Sequence, residues 1–153
     1  CCGGGVLGVP TAGNPGDVLT KTGTGATDYE FLPPGSSANF EIYPAGQNLS
    51  TGRIVIIDNL QAWYFLNTDA SHVGRAYGVT KTSATIGNDV AIQVQGIIQD
   101  AAFNFTADRI VWVGADGEIF DVQPVTGIII QKAGVAAEDK KILIDFSTTV
   151  LKT

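Results

Sequence analysis

This chain of 153 residues has only two cysteines, Cys1 and Cys2, and a single histidine, His72. Adjacent cysteines rarely bridge each other comfortably, so no disulfide framework staples the rest of the chain. One histidine, no later cysteine and scattered carboxylates fit neither zinc nor EF-hand spacing, so no metal and no cofactor is expected. Charge is scarce as well: 16% of residues are Asp, Glu, Lys or Arg, against roughly 25% in an average protein. The formal net charge of -6 leaves no basic face for a phosphate backbone and argues against nucleic acid as a partner. No apolar run approaches the roughly 18–20 residues of a membrane helix, so no membrane insertion is expected. Convincing 3.6-residue periodicity over three turns is also missing, which excludes a helical bundle.

What is present is β-forming sequence behind a glycine-rich start. Residues 1–39 hold nine of the nineteen glycines and four of the six prolines. Such a stretch cannot bury enough apolar surface to offset its ordering entropy alone. Apolar residues nevertheless punctuate it. Val18, Leu19, Tyr29, Phe31 and Leu32 are the candidate partner-binding residues of an extended arm, ordered by lying against sister subunits or a larger particle. A disordered tether is the alternative.

From residue 40 the pattern changes to short strands. Residues 90–100 (VAIQVQGIIQD) organise the domain: Val90, Ile92 and Val94 alternate with Ala91, Gln93 and Gln95, and Gly96 then breaks the period. A glycine there marks a bend at which the strand leaves one sheet or wraps a barrel. Residues 53–58 (RIVIID) are apolar on both faces, as in a central strand. Asp58-Asn59 and Asp116-Gly117 are turn signals, the second a strong hairpin signal. Further strands are expected over 40–43, 61–66, 74–81, 109–113, 118–122, 128–135 and 141–146. About nine short strands with frequent turns predict an all-β fold, an antiparallel β-sandwich or small β-barrel at 40–153.

Chemistry is sparse. Asp69, Ser71 and His72 sit close in sequence, but a hydrolytic triad draws its members from separate elements and needs an oxyanion loop, so His72 reads as a loop histidine. The glycine-rich start lacks the strand and helix that flank a Walker loop or dinucleotide fingerprint. Trp63 and Trp112 are the candidate sugar-stacking residues, and core or cross-strand packing is the competing role for such aromatics. No catalytic constellation is visible, and no enzyme activity is expected.

The order of motifs over residues 49–146 resembles a small β-domain of tailed-bacteriophage virion proteins, found in head decoration proteins, head fibres and tail appendages. The matching segments are LSTGRIVIID, TDASHVGRAYGVT, GNDVAIQVQGII, VWVGADGEI, PVTGIIIQKAGVA and KKILIDF. Upstream, GNPGDVLTKTGTGATDYEFLPP is similar to a connector of phage fibre proteins, with Phe31 where tryptophan is more usual. The resemblance implies a non-enzymatic fibre or decoration subunit on the virion surface. It would be a homotrimer held to capsid or tail proteins through its arm, displaying the β-domain outward. Two other functions stay open: a carbohydrate- or receptor-binding module contacting a host-surface glycan, and a mature bacterial lipoprotein acylated at Cys1.

Overall fold

The computed structural model describes residues 39–152 and, for the backbone alone, residues 18–21 and 29–32. The chain divides into two compact units, Cys1–Asn39 and Phe40–Thr153. In the first, β1 (Val18–Lys21) pairs antiparallel with β2 (Tyr29–Leu32), from Val18 opposite Leu32 to Lys21 opposite Tyr29. The side chains of Val18, Leu19, Tyr29, Phe31 and Leu32 lie outside the described residues, as do Cys1 and Cys2.

The second unit is all-β, with eleven strands in two antiparallel sheets. One sheet contains β3 (Phe40–Pro44), β4 (Ile54–Asp58), β5 (Gln61–Tyr64), β6 (Gly78–Thr80) and β7 (Asp89–Gln93), in the order β3-β7-β6-β4-β5. Its outer strands meet: Ala45, just after β3, bridges Ala62 on β5, and the Gly46 amide donates to the Ala62 carbonyl at 2.9 Å. The sheet therefore curls into a small barrel filled by Tyr43, Val55, Ala62, Tyr64, Val90 and Ile92. Closing a sheet in this way removes the free edges that invite aggregation.

The other sheet contains β8 (Ile97–Gln99), β9 (Ile110–Val113), β10 (Ile119–Phe120), β11 (Ile129–Glu138) and β12 (Lys141–Ile144), in the order β10-β9-β11-β12-β8. A last strand, β13 (Thr149–Leu151), pairs with β11. The inner face of this sheet packs on the outside of the barrel through Ile98, Val111, Val113, Ile129 and Ile142, which meet Ile54, Ile56, Phe65 and Val79. The architecture is thus a sandwich with one sheet curled. β4 explains the continuous run RIVIID, because Val55 fills the barrel while Ile54 and Ile56 face the second sheet.

Eleven strands stand where about nine were expected, for two reasons. The organising stretch 90–100 is two strands in different sheets, β7 in the barrel and β8 opposite, with Gly96 at φ +82° between them. Side chains other than glycine rarely adopt that conformation. The Gln93 amide steadies the corner by donating to the carbonyls of Gln95 (3.1 Å) and Ile97 (2.7 Å). β13 is the second addition. It is held by Gln131, which is buried and donates to the Thr148 carbonyl at 3.1 Å while accepting from the Thr149 hydroxyl. The expected strand over 74–81 shortens to β6, since residues 74–77 make only irregular contacts such as the Tyr77 amide to the Val55 carbonyl.

Both turn signals form as read. Asn59 and Leu60 have φ of 47° and 61°, and Asp116 and Gly117 have φ of 50° and 67°. Two successive positive φ values are the type I′ geometry whose twist matches the flanking strands.

Candidate functional site

The outward face of the second sheet carries an aliphatic row in register. Ile97 on β8 stands opposite Leu143 on β12, Leu143 opposite Val135 on β11, and Val135 opposite Ile110 on β9. Their sequence neighbours Ile98, Ile142, Ala136 and Val111 point inward to the core. Ile97 is 57% exposed, Leu143 47% and Ile110 45%. β-Strands usually present polar side chains to water on such a face. Four aliphatic positions side by side across four strands mark a surface suited to contact with another protein.

Trp112 extends this face. It pairs with Phe120 on β10 and with Lys132 on β11, and it is half-buried. Lys132 is neutralised within the face by Asp145, so the patch carries no uncompensated charge there. The hydrogen bond from Lys132 holds the Asp145 carboxyl at about 2, with smaller help from Ser147. That lies below the value of about 3.9 for an unfolded Asp. The contribution of the pair is therefore fully present above about pH 4 and is lost as pH falls through about 2. Urea unfolding between about pH 5 and pH 2 should show a smaller loss of stability in Asp145→Asn than in the parent. An identical loss would contradict the assignment.

The second tryptophan lies elsewhere. Trp63, on β5, packs against the core between the sheets and lines an open groove of about 710 Å³. The indole lies against the backbone of Gly46, where an added Cβ would come within 2.1 Å of the ring. Around it the groove presents Gln47, Asn48, Asp58, Arg75 and Asp116. Arg75 is paired with Asp58 at 2.8 Å. The Asn48 side-chain oxygen accepts the Ile86 amide at 3.0 Å. The Trp63 indole N–H and the Gln47 amide have no intramolecular partner among the described residues.

The two tryptophans thus belong to different surfaces and form no common platform. Other aromatics near them are absorbed by structure. Phe65 is fully buried, and Tyr64 packs with the barrel interior and accepts the Ser50 amide at 2.7 Å. Tyr77 donates to the Glu41 carboxylate and packs edge-on against Tyr43.

His72 is likewise bonded into the fold. It is buried in a short 3-10 turn, Ala70–His72, and its Nδ1 accepts the Leu66 amide at 2.9 Å. Burial lowers its pKa and keeps the ring neutral. Asp69 caps that turn by accepting both the amide (2.9 Å) and the hydroxyl (2.7 Å) of Ser71. The serine is therefore bound to the aspartate and has no bond to the histidine. Among the described residues no cluster of His, Cys, Asp and Glu could hold a metal ion, and no helix is long and apolar enough to cross a membrane.

The aliphatic row was not among the expected site residues. Its signal was the adjacent apolar pairs Ile97-Ile98 and Ile142-Leu143, which cannot both face one core. The polar members of the Trp63 groove had no such signal, because they come from four separated segments of the chain.

No curated protein and no solved structure matches this chain. A family model described as phage cement protein matches residues 34–143, which spans most of the β-domain and most of the chain. With the match covering more than half of its residues, the chain belongs to the phage cement protein family, as a structural component of the virion.

Proposed function

We propose that the chain is a non-enzymatic decoration subunit of the particle surface, anchored through residues 1–39 and displaying the β-domain outward. Sister copies associate, as a homotrimer, through the outer face of the second sheet. The observation that carries this reading is the in-register row Ile97, Leu143, Val135 and Ile110. Removing such a row from water favours association, offset in part by the freedom the copies lose on binding. A charge-poor patch meeting its own copy brings no uncompensated like charges into direct contact. The arm supports anchoring by its composition: apolar residues spaced along a glycine-rich stretch offer contacts to a partner.

Particles lacking this protein provide the test. The full chain should bind them at least about tenfold more tightly than residues 40–153, because the truncated chain has lost its anchor. Equal binding by the truncated chain would overturn arm anchoring.

A second function of the same domain, contact with a host-surface glycan, is favoured by the Trp63 groove. An aromatic wall with unpartnered polar groups around it is a common form of ligand site.

A further inference from the structure

We infer that the Trp63 groove takes a neutral pyranose unit and discriminates against acidic sugars, an inference that rests on the glycan reading of that groove. Three features carry it. The first is a rigid apolar wall. Trp63 sits on β5, one edge of its indole seated on Gly46, with Ile56 beside it in the groove. A ring fixed in this way presents a surface to the C–H face of a sugar at little conformational cost, since its rotamer is set before the ligand arrives. Gly46 is integral to that arrangement. Any side chain there would displace the indole.

The second feature is a set of hydrogen-bonding groups with spare capacity. Among the described residues the Gln47 amide has no partner, and Asn48 commits its oxygen to the Ile86 amide, which leaves its NH₂ as a donor. Among the described residues the Asp116 carboxylate is likewise free as an acceptor, its backbone carbonyl alone being engaged by Arg53 at 3.4 Å. Neighbouring donors and acceptors of this kind match the vicinal hydroxyls of a sugar, each of which both donates and accepts.

The third feature is charge. Asp58 and Asp116 are the carboxylates of the groove and Arg75 its cation. Arg75 is held by Asp58 at 2.8 Å and also donates to the Ile57 carbonyl at 3.1 Å, so its charge is spent locally. His72, kept neutral by burial, adds none. The groove therefore carries one uncompensated negative charge, on Asp116. A sialic or uronic acid carboxylate would meet repulsion there, while a neutral hexose would meet only acceptors.

The experiment uses the full chain and a panel of immobilised oligosaccharides. Neutral glucose-, galactose- and mannose-based oligomers are compared with the same cores carrying sialic or uronic acid. At least one neutral core should bind, and its acidic counterpart should bind about threefold more weakly or worse, the effect of one unit charge across several ångströms of water. Asp116→Asn should narrow that gap, and asparagine tolerates the positive φ at this position. Trp63→Ala should abolish binding. Because Trp63 also packs on the core, Gln47→Ala serves as the second variant, and it should weaken binding with an unchanged melting temperature. Acidic oligomers bound as well as or better than their neutral cores would overturn this inference and leave the glycan reading standing. No binding by any member of the panel would overturn both.

Discussion

Phe65→Ala is expected to remove about 3–5 kcal/mol from the stability of the β-domain. Phe65 is the largest fully buried side chain among the described residues, lying where the barrel meets the second sheet. Its ring packs on His72, with centroids 5.8 Å apart. Its backbone ties three segments together. The amide donates to the Ile54 carbonyl at 3.0 Å, and the carbonyl accepts the Gly117 amide at 2.8 Å. These backbone bonds hold the surrounding chain in place, so the site cannot collapse to fill the space vacated by the ring. The lost transfer energy is then joined by a cavity cost. Against a total of roughly 5–15 kcal/mol for a domain, that loss leaves little margin. Urea unfolding should show a lower midpoint with an unchanged slope. A loss below about 1 kcal/mol would mean that the two sheets do not share this core.

Gln131→Ala is expected to cost about 2–3 kcal/mol and to release β13. Gln131 is buried between the sheets, and its amide donates to the carbonyls of Lys132 (2.8 Å) and Thr148 (3.1 Å). Its side-chain oxygen accepts from the Thr149 hydroxyl. Removing the amide strands these groups away from water, and an unsatisfied buried polar group costs more than the bond itself contributed. Amide hydrogen exchange at Thr149–Leu151 should accelerate well before that of β4 or β7. Gln131→Leu, which keeps the volume, separates the polar loss from the cavity. If the leucine variant retains protection at β13, packing rather than hydrogen bonding holds that strand.

The sequence carried the local part of this architecture and little of the non-local part. RIVIID declared a strand buried on both faces, and Asp116-Gly117 declared its hairpin, because each depends on neighbouring residues alone. Gly96 announced a departure from the sheet, but its destination depends on pairing with β12, far along the chain. The shortfall in strand number has the same origin. β13 exists because a buried glutamine on another strand receives it, and no period within residues 149–151 reports that. The site was less legible still. Trp63 and Trp112 stand out as aromatics in strands, yet alternation alone does not say which sheet or which surface each serves. The aliphatic row appears only when four registers are known, since isoleucine and leucine look alike whether they face a core or a partner. The arm candidates Val18, Leu19, Tyr29, Phe31 and Leu32 rest on spacing in a glycine-rich background, and binding by the truncated chain is what tests them.

We propose that the outer face of the second sheet joins copies of this chain. Light scattering of the full chain beside Leu143→Lys tests it most directly. Leu143 is half exposed and central to the row, so a lysine there keeps the fold and places a charge in the middle of the contact. The parent should have the mass of a trimer, and the variant that of a monomer with an unchanged melting temperature. A parent that is already monomeric, or a variant whose mass does not change, would contradict the claim.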